Sequence, residues 1–204
     1  MEEKYMCGRY FFDLSSSELK NYYDQVIPNA ASKQIRVGYN EIFPSNHVVT
    51  LGLNKDSQIV PGVTKWGFQG FKKGQLMINA RAETVEEKKT FSKPFKESRC
   101  VFPMSGFYEW DQEKNKILFS AEETEVMFVA GFYRIHKTGA GFETESLIIT
   151  TRPNKKVQPI HDRMPLVIQK EYINKWVSDL DFAREYLSKD PNELVTLEKS
   201  LSIV

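Results

Sequence analysis

The chain has 204 residues, of which 41% are hydrophobic and 27% charged, which suits a soluble domain with a substantial core and excludes a disordered or membrane-embedded polymer. A net charge of +1 gives no global basic field, so any nucleic-acid binding must come from a local patch, and a small-molecule enzyme fits the balance equally well. Two cysteines, Cys7 and Cys100, are too few for a disulfide framework, the start Met1-Glu2-Glu3-Lys4-Tyr5 carries no apolar signal stretch, and no apolar run spans a bilayer, so free thiols, a cytoplasmic location and no membrane partner are expected.

In chain order, the first strand-like run is Gly8 to Phe12. Ser15-Ser16-Ser17-Glu18 then forms a capping-box pattern before Leu19, Tyr22, Tyr23 and Val26 at helical spacing, which predicts a helix. Strand-like runs rich in Val, Ile, Phe, Tyr and Thr follow at His47 to Leu53 and Gln58 to Thr64, separated by Asn54-Lys55-Asp56 turn chemistry. Thr84 to Lys89 reads as a short helix stopped before Pro94. Further strands are expected at Cys100 to Met104, Ile117 to Ser120, Val126 to Tyr133, Ser146 to Thr151 and Leu166 to Gln169, with short helices at Glu171 to Trp176 and Asp181 to Leu187. No repeat or linker divides the chain. The expectation is one α+β, β-rich domain with a curved or barrel-like sheet and peripheral helices.

Four clusters carry chemistry. In Met6-Cys7-Gly8-Arg9-Tyr10, a Cys at a true N-terminus would offer both a thiol and an α-amine of pKa about 8. An aldehyde can condense with that amine, and the thiol can close a thiazolidine ring, which an internal Cys cannot do. Arg9 favours the thiolate or holds a phosphate. In Asn79-Ala80-Arg81-Ala82-Glu83-Thr84, alanines leave room for close approach to Asn79 and Arg81, although a loop entering a helix has the same look. In Ser105-Gly106-Phe107-Tyr108-Glu109-Trp110, aromatic neighbours can desolvate Glu109 for acid–base work, and alternation puts Phe107 and Glu109 on one strand face. The plainer alternative is an exposed strand Glu. In Ile160-His161-Asp162-Arg163-Met164-Pro165, His161 is a proton-shuttle candidate whose partner is expected from farther away than Asp162, against a simple polar turn. His47 and His136 show no comparable surroundings. Zinc-type spacings, glycine-rich phosphate loops and serine-nucleophile elbows are absent, so neither metal nor cofactor is expected.

Together the clusters resemble the SRAP family, the SOS response-associated peptidases or abasic-site processing proteins. The resemblance runs from Met6 to about Gln169 on Met-Cys-Gly-Arg at 6–9, Tyr39-Asn40 with Pro44, Trp66-Gly67, Asn-Ala-Arg-Ala-Glu-Thr at 79–84, Arg99-Cys100, Gly-Phe-Tyr-Glu-Trp at 106–110, Thr150-Thr151 and His-Asp-Arg-Met-Pro at 161–165. It implies a β-rich α+β fold that binds single-stranded DNA and joins an N-terminal Cys to an abasic-site aldehyde as a thiazolidine, with strand cleavage through a Schiff base and removal of residues preceding the Cys as further activities. It assigns Cys7 as nucleophile, Glu109 as the acid for sugar opening, His161 as proton handler and Asn79 as the group that positions them. Arg9, Arg81, Arg99 and Arg163 are implied near phosphates, and Trp66, Phe43 and Pro44 at the bases. A monomer with a replication-fork association is also implied.

The chain departs from the pattern at its start. Residues 1–6 precede Cys7, and while they remain Cys7 has an amide where the chemistry needs an amine. Translation from Met6 or self-cleavage before Cys7 would supply the amine. Trp66-Gly67-Phe68-Gln69-Gly70 also departs from the more apolar continuation of relatives. Two other readings compete: a cysteine hydrolase using Cys7 and His161, and a non-catalytic single-strand binder using only arginines and aromatics.

Overall fold

The apolar runs between turns become strands, and the longest of them close on each other. The computed structural model describes residues 8–70, 74–139 and 141–201. In order these form β1 (Arg9–Phe12), α1 (Ser17–Ser32), β2 (Asn40–Ile42), β3 (His47–Leu53), β4 (Ile59–Trp66), β5 (Phe68–Gln69), β6 (Leu76–Met77), β7 (Asn79–Arg81), α2 (Lys89–Glu97), β8 (Arg99–Met104), β9 (Gly106–Trp110), β10 (Lys116–Ala121), β11 (Met127–Thr138), β12 (Gly141–Thr151), β13 (Met164–Pro165), β14 (Val167–Ile168), α3 (Ile173–Ser178), α4 (Leu180–Leu187) and β15 (Leu197–Leu201). Among the described residues no helix is long and apolar enough to cross a membrane.

β12 closes the main sheet into a ring. It pairs antiparallel with β11 from Gly131↔Ile148 to Thr138↔Gly141, and parallel with β4 at Glu145↔Lys65 and Ser146↔Trp66. Since β4 pairs with β3, β3 with β8, and β8 with β11, the path β12–β4–β3–β8–β11 returns to its start as a barrel. Closure leaves these strands without an open edge. A buried hydroxyl pair, Thr64 Oγ1 and Ser146 Oγ at 2.7 Å, bridges the parallel seam. Gly131 sits where the wall is tightest: a Cβ there would lie 2.5 Å from the Phe102 ring and 2.6 Å from the Leu147 carbonyl oxygen.

A second, antiparallel sheet has the order β15–β10–β9–β1–β2. It docks on the barrel through Tyr10, whose ring lies 5.3 Å from Trp66 and 6.5 Å from Phe102. The helices dock through aromatics. Phe91 and Phe95 of α2 meet Phe132 of β11, and Trp176 of α3 lies between Phe95 and Tyr186 of α4 at 6.1 and 6.2 Å. Contacts of this kind, added to the apolar area buried, fix where each helix sits.

Local chemistry differs from the sequence reading at two helix starts. α1 begins after Ser16, whose hydroxyl makes no capping bond; Ser15 bonds the Asp13 carboxylate, and Glu18 is held by Tyr22 and Lys170, so the capping box does not form. The helix expected at Thr84 to Lys89 is a short 3-10 turn, Ala82–Thr84, followed by α2, which runs through Pro94. Burial of Phe91 and Phe95 outweighs the backbone bond that Pro94 cannot make. Asp179 caps α4 as its chemistry dictates, accepting from the backbone N–H groups of Asp181 and Phe182.

Candidate functional site

β1 and β9 bring the first and third clusters together. Their register pairs Arg9 with Tyr108 and Tyr10 with Phe107. Continued by one residue, it sets Gly8 opposite Glu109. Cys7 lies outside the described residues, and Gly8 is the residue bonded to it. Alternation on β9 turns Phe107 and Glu109 to one side, where Phe107 stacks on Phe119 at 5.2 Å. Tyr108 and Trp110 turn to the other side, where the Lys116 ammonium lies 4.1 Å from the Tyr108 ring. Glu109 is therefore not an exposed strand acid but a carboxylate enclosed on both sides, 2% exposed.

The fourth cluster supplies its neighbour. The segment between β12 and β13 returns toward the sheet and buries His161, whose Nε2 lies 3.9 Å from Glu109 Oε2. The other ring nitrogen, Nδ1, accepts the backbone N–H of Arg163 at 3.1 Å. The exposed Asp162 carboxylate lies 3.3 Å from the same nitrogen, so His161 meets an acid on each side.

The second cluster is tied to the fourth. β7 pairs parallel with β12, Asn79 beside Ile148 and Arg81 beside Thr150. Asn79 is half-buried at the strand start, and Arg81 is exposed. Two residues beyond Arg81, Glu83 receives the Arg163 guanidinium in two parallel bonds, 2.8 and 2.9 Å, while the same guanidinium donates to the Thr150 carbonyl at 2.7 Å. This fork holds the Glu83 carboxyl below its ordinary range, chiefly through the hydrogen bonds from Arg163. Described residues from all four clusters thus meet where β1, β7, β9 and the loop before β13 converge.

An aromatic and cationic ledge lies next to them. The Arg9 guanidinium stands 4.6 Å from the Phe43 ring and 5.0 Å from the Trp110 ring, and bonds Glu41 at 3.0 Å. Burial alone would raise Glu41, but bonds from Lys116 and Arg9 outweigh it and hold the carboxyl below its ordinary range. Phe43 and Tyr39 are exposed, Pro44 is half-buried beside them, and Trp110 is half-buried. Trp110 and Glu83 were not singled out as site residues in the sequence. The signal available was the strand alternation that turns Trp110 to the side of Arg9.

Three residues expected at DNA have their side chains engaged within the protein. Trp66 is 0% exposed, its Nε1 donating to the Ile78 carbonyl at 3.0 Å and its ring against Tyr10, so it supports the barrel and offers no face to a base. Arg99 is buried, and its guanidinium donates to the carbonyls of Phe95, Lys96, Trp176 and Val177. These carbonyls lie in the last turns of α2 and α3, which a cation satisfies well, so Arg99 joins two helix ends with four of its five N–H donors engaged and its side chain buried away from a phosphate. Arg163 faces Glu83 and Thr150. Cys100 is a free thiol buried in the barrel wall, and burial pushes it well above the ordinary thiol range, against reactivity.

Surroundings for His136 also exist that the sequence did not disclose. β11–β12 register sets it across from Glu143, and its Nδ1 lies 3.6 Å from Glu145. His136, Glu143 and Glu145 place ligand atoms within 4.8 Å of one another. Arg134 at 2.7 Å and Lys65 at 3.2 Å already neutralise the two carboxylates, so a cation would have to displace them.

Comparison with known proteins adds the remaining observations. Residues 6–199 match the family model described as SOS response associated peptidase (SRAP). The chain is 32% identical over 194 residues to the abasic site processing protein YoqW of Bacillus subtilis, covering 89% of this chain and 84% of that protein. It is 25% identical over 184 residues to the abasic site processing protein YedK of Escherichia coli, covering 84% and 79%. A crystal structure of a protein from Bacteroides thetaiotaomicron superposes with a TM-score of 0.74 at 21% identity, over 96% of this chain and 91% of that one, which establishes the likeness of fold.

Proposed function

This chain belongs to the SRAP family, and from that membership we propose that it recognises abasic sites in single-stranded DNA and captures them covalently through Cys7 once Cys7 is the N-terminal residue. The observation that carries the reading is the buried Glu109–His161 pair, 3.9 Å apart, beside β1, which begins at Arg9, two residues after Cys7 in the sequence. The names of YoqW and YedK support the substrate.

The chemistry balances with this chain's own groups. Glu109 as acid protonates the sugar ring oxygen and favours the open aldehyde. The Cys7 amine, as free base, adds to the aldehyde carbon, and loss of water leaves a protonated imine. The Cys7 thiolate then adds to the same carbon while the C=N electron pair returns to nitrogen, closing the thiazolidine. His161 returns protons to Glu109 through Nε2. Arg81 and Arg9 hold neighbouring phosphates, and Phe43 with Trp110 offers faces to bases. A β-elimination from the imine would cut the strand. No cofactor enters these steps, and the protein acts as a monomer.

The test is an adduct that survives denaturing electrophoresis when protein beginning at Cys7 meets an abasic oligonucleotide. Cys7→Ala, or protein retaining Met1 to Met6, gives none. A protein correctly beginning at Cys7 that forms no adduct overturns the reading. The family match begins at Met6, and self-removal of residues 1–6, a second activity, or translation from Met6 would supply the Cys7 amine. Intact mass decides it: the segment is lost from the wild type and retained in His161→Ala and Glu109→Ala.

A further inference from the structure

His161 can carry its proton on either ring nitrogen, and only one arrangement points it at Glu109. The backbone N–H of Arg163 lies 3.1 Å from Nδ1 and can only donate. Nδ1 must therefore offer its lone pair, and the proton of the neutral ring sits on Nε2, the nitrogen 3.9 Å from Glu109. The Arg163 carbonyl oxygen lies 3.2 Å from Nδ1 and would suit the other tautomer, but that tautomer sets two hydrogens against each other at the Arg163 N–H. Asp162 pulls in the same direction as that carbonyl from an exposed, solvent-screened position.

What keeps the Arg163 N–H on Nδ1 is the other end of Arg163. Its guanidinium is fixed by the two bonds to Glu83 and by the Thr150 carbonyl. The backbone of Arg163, two residues after His161, is thus pinned between the 3-10 turn after β7 and the C-terminal end of β12. We propose that Glu83 and Arg163 form a latch that sets the tautomer of His161, making both positioning residues for the reaction at Cys7. The inference rests on the function proposed above for the use of that proton, but the latch itself is measurable without DNA. It also gives Glu83 a task that a phosphate-binding role for Arg163 leaves out.

The experiment uses the full chain with nitrogen-labelled histidine, read by long-range proton–nitrogen correlation at a pH where the rings are neutral. The chain has three histidines, so His47 and His136 serve as internal reporters of an intact fold. In the wild type the two His161 nitrogens are well separated, with the proton on Nε2. In Glu83→Gln the separation is expected to shrink by roughly half as the two tautomers mix, with His47 and His136 unmoved. Arg163→Lys keeps the charge but loses the fork and is expected to do the same. Adduct formation by Glu83→Gln slows about tenfold, with a shifted pH profile. His161 nitrogens unchanged in both variants, with the reporters in place, overturn the latch. Converged nitrogens with wild-type adduct rates leave the latch standing and overturn instead the role given to His161 in the proposed function.

Discussion

The Nε2 of His161 and the Oε2 of Glu109 face each other at 3.9 Å with the two side chains 3% and 2% exposed. Water does not screen an interaction so enclosed, and a proton passed between them stays in the site. Replacing Glu109 by Gln keeps its shape and its hydrogen-bonding capacity and removes only the charge and the exchangeable acid proton. Adduct formation by Glu109→Gln is expected to fall about 10²–10⁴-fold. A gel time course against an abasic oligonucleotide measures this, with the thermal midpoint as a control for folding. A wild-type rate in the variant would remove Glu109 from the chemistry.

Arg99 predicts a loss of stability without a loss of DNA contact. Its guanidinium satisfies four carbonyls at the ends of α2 and α3, three of them through buried bonds. Arg99→Ala leaves those acceptors unpaired and is expected to destabilise the fold by about 2–5 kcal/mol, with Arg99→Lys little better because an ammonium cannot span the fork. Urea unfolding measures the loss. Weakened DNA binding in a variant of unchanged stability would instead return Arg99 to a phosphate.

The same residue shows what sequence could disclose. Strand composition alone located β3 at His47–Leu53 to the residue, because Val48, Val49 and Leu51 are buried behind turn chemistry at both ends. Motif identity gathered Asn79, Glu109 and His161. Side-chain availability was not legible, because a guanidinium near a motif looks the same whether it faces phosphate, a helix end or a glutamate. Only the pairing of β11 with β12 brings His136 to Glu145, and only the return of the chain before β13 brings Arg163 to Glu83. Ring closure through β12 likewise depends on contacts too distant in sequence for periodicity to register.

Trp66 is buried, and the accessible aromatic faces lie on the ledge formed by Phe43, Arg9 and Trp110, so the stacking prediction is made for that ledge. Trp110→Ala is expected to weaken single-strand binding by about 1–3 kcal/mol. Trp66→Phe, which loses only the bond to Ile78 and some buried ring, is expected to lower stability and leave DNA affinity unchanged. Fluorescence anisotropy with intact and abasic strands separates the two. If Trp66→Phe weakens binding and Trp110→Ala does not, the ledge is not the platform.

Arg81 is exposed and has no ion-pair partner among the described residues, so its contribution is read as a salt dependence. One phosphate contact on a single strand contributes about 0.7 to the slope of log affinity against log salt. Arg81→Ala is expected to reduce the slope by that amount and to weaken intact and abasic strands alike. An unchanged slope would place Arg81 away from the backbone.

Acid stability reports on the Glu83–Arg163 fork. Arg163 holds the Glu83 carboxyl below its ordinary value of 4.5, chiefly through its hydrogen bonds. A carboxyl depressed in the folded state takes up its proton more readily in the unfolded chain. Its stabilisation is therefore fully present above about pH 4.5 and is lost as pH falls through the lower folded value. Glu41, depressed by Lys116 and Arg9 despite its burial, acts in the same direction and window. Stability against pH should fall below pH 4.5 in the wild type, and less steeply in Glu83→Gln, which has no proton to take up there. Because Glu83 is 51% exposed, solvent screens the fork and the difference between the two curves is small, so both are measured at low salt. Superimposable acid limbs would mean that the fork seen between the two side chains contributes nothing to folding.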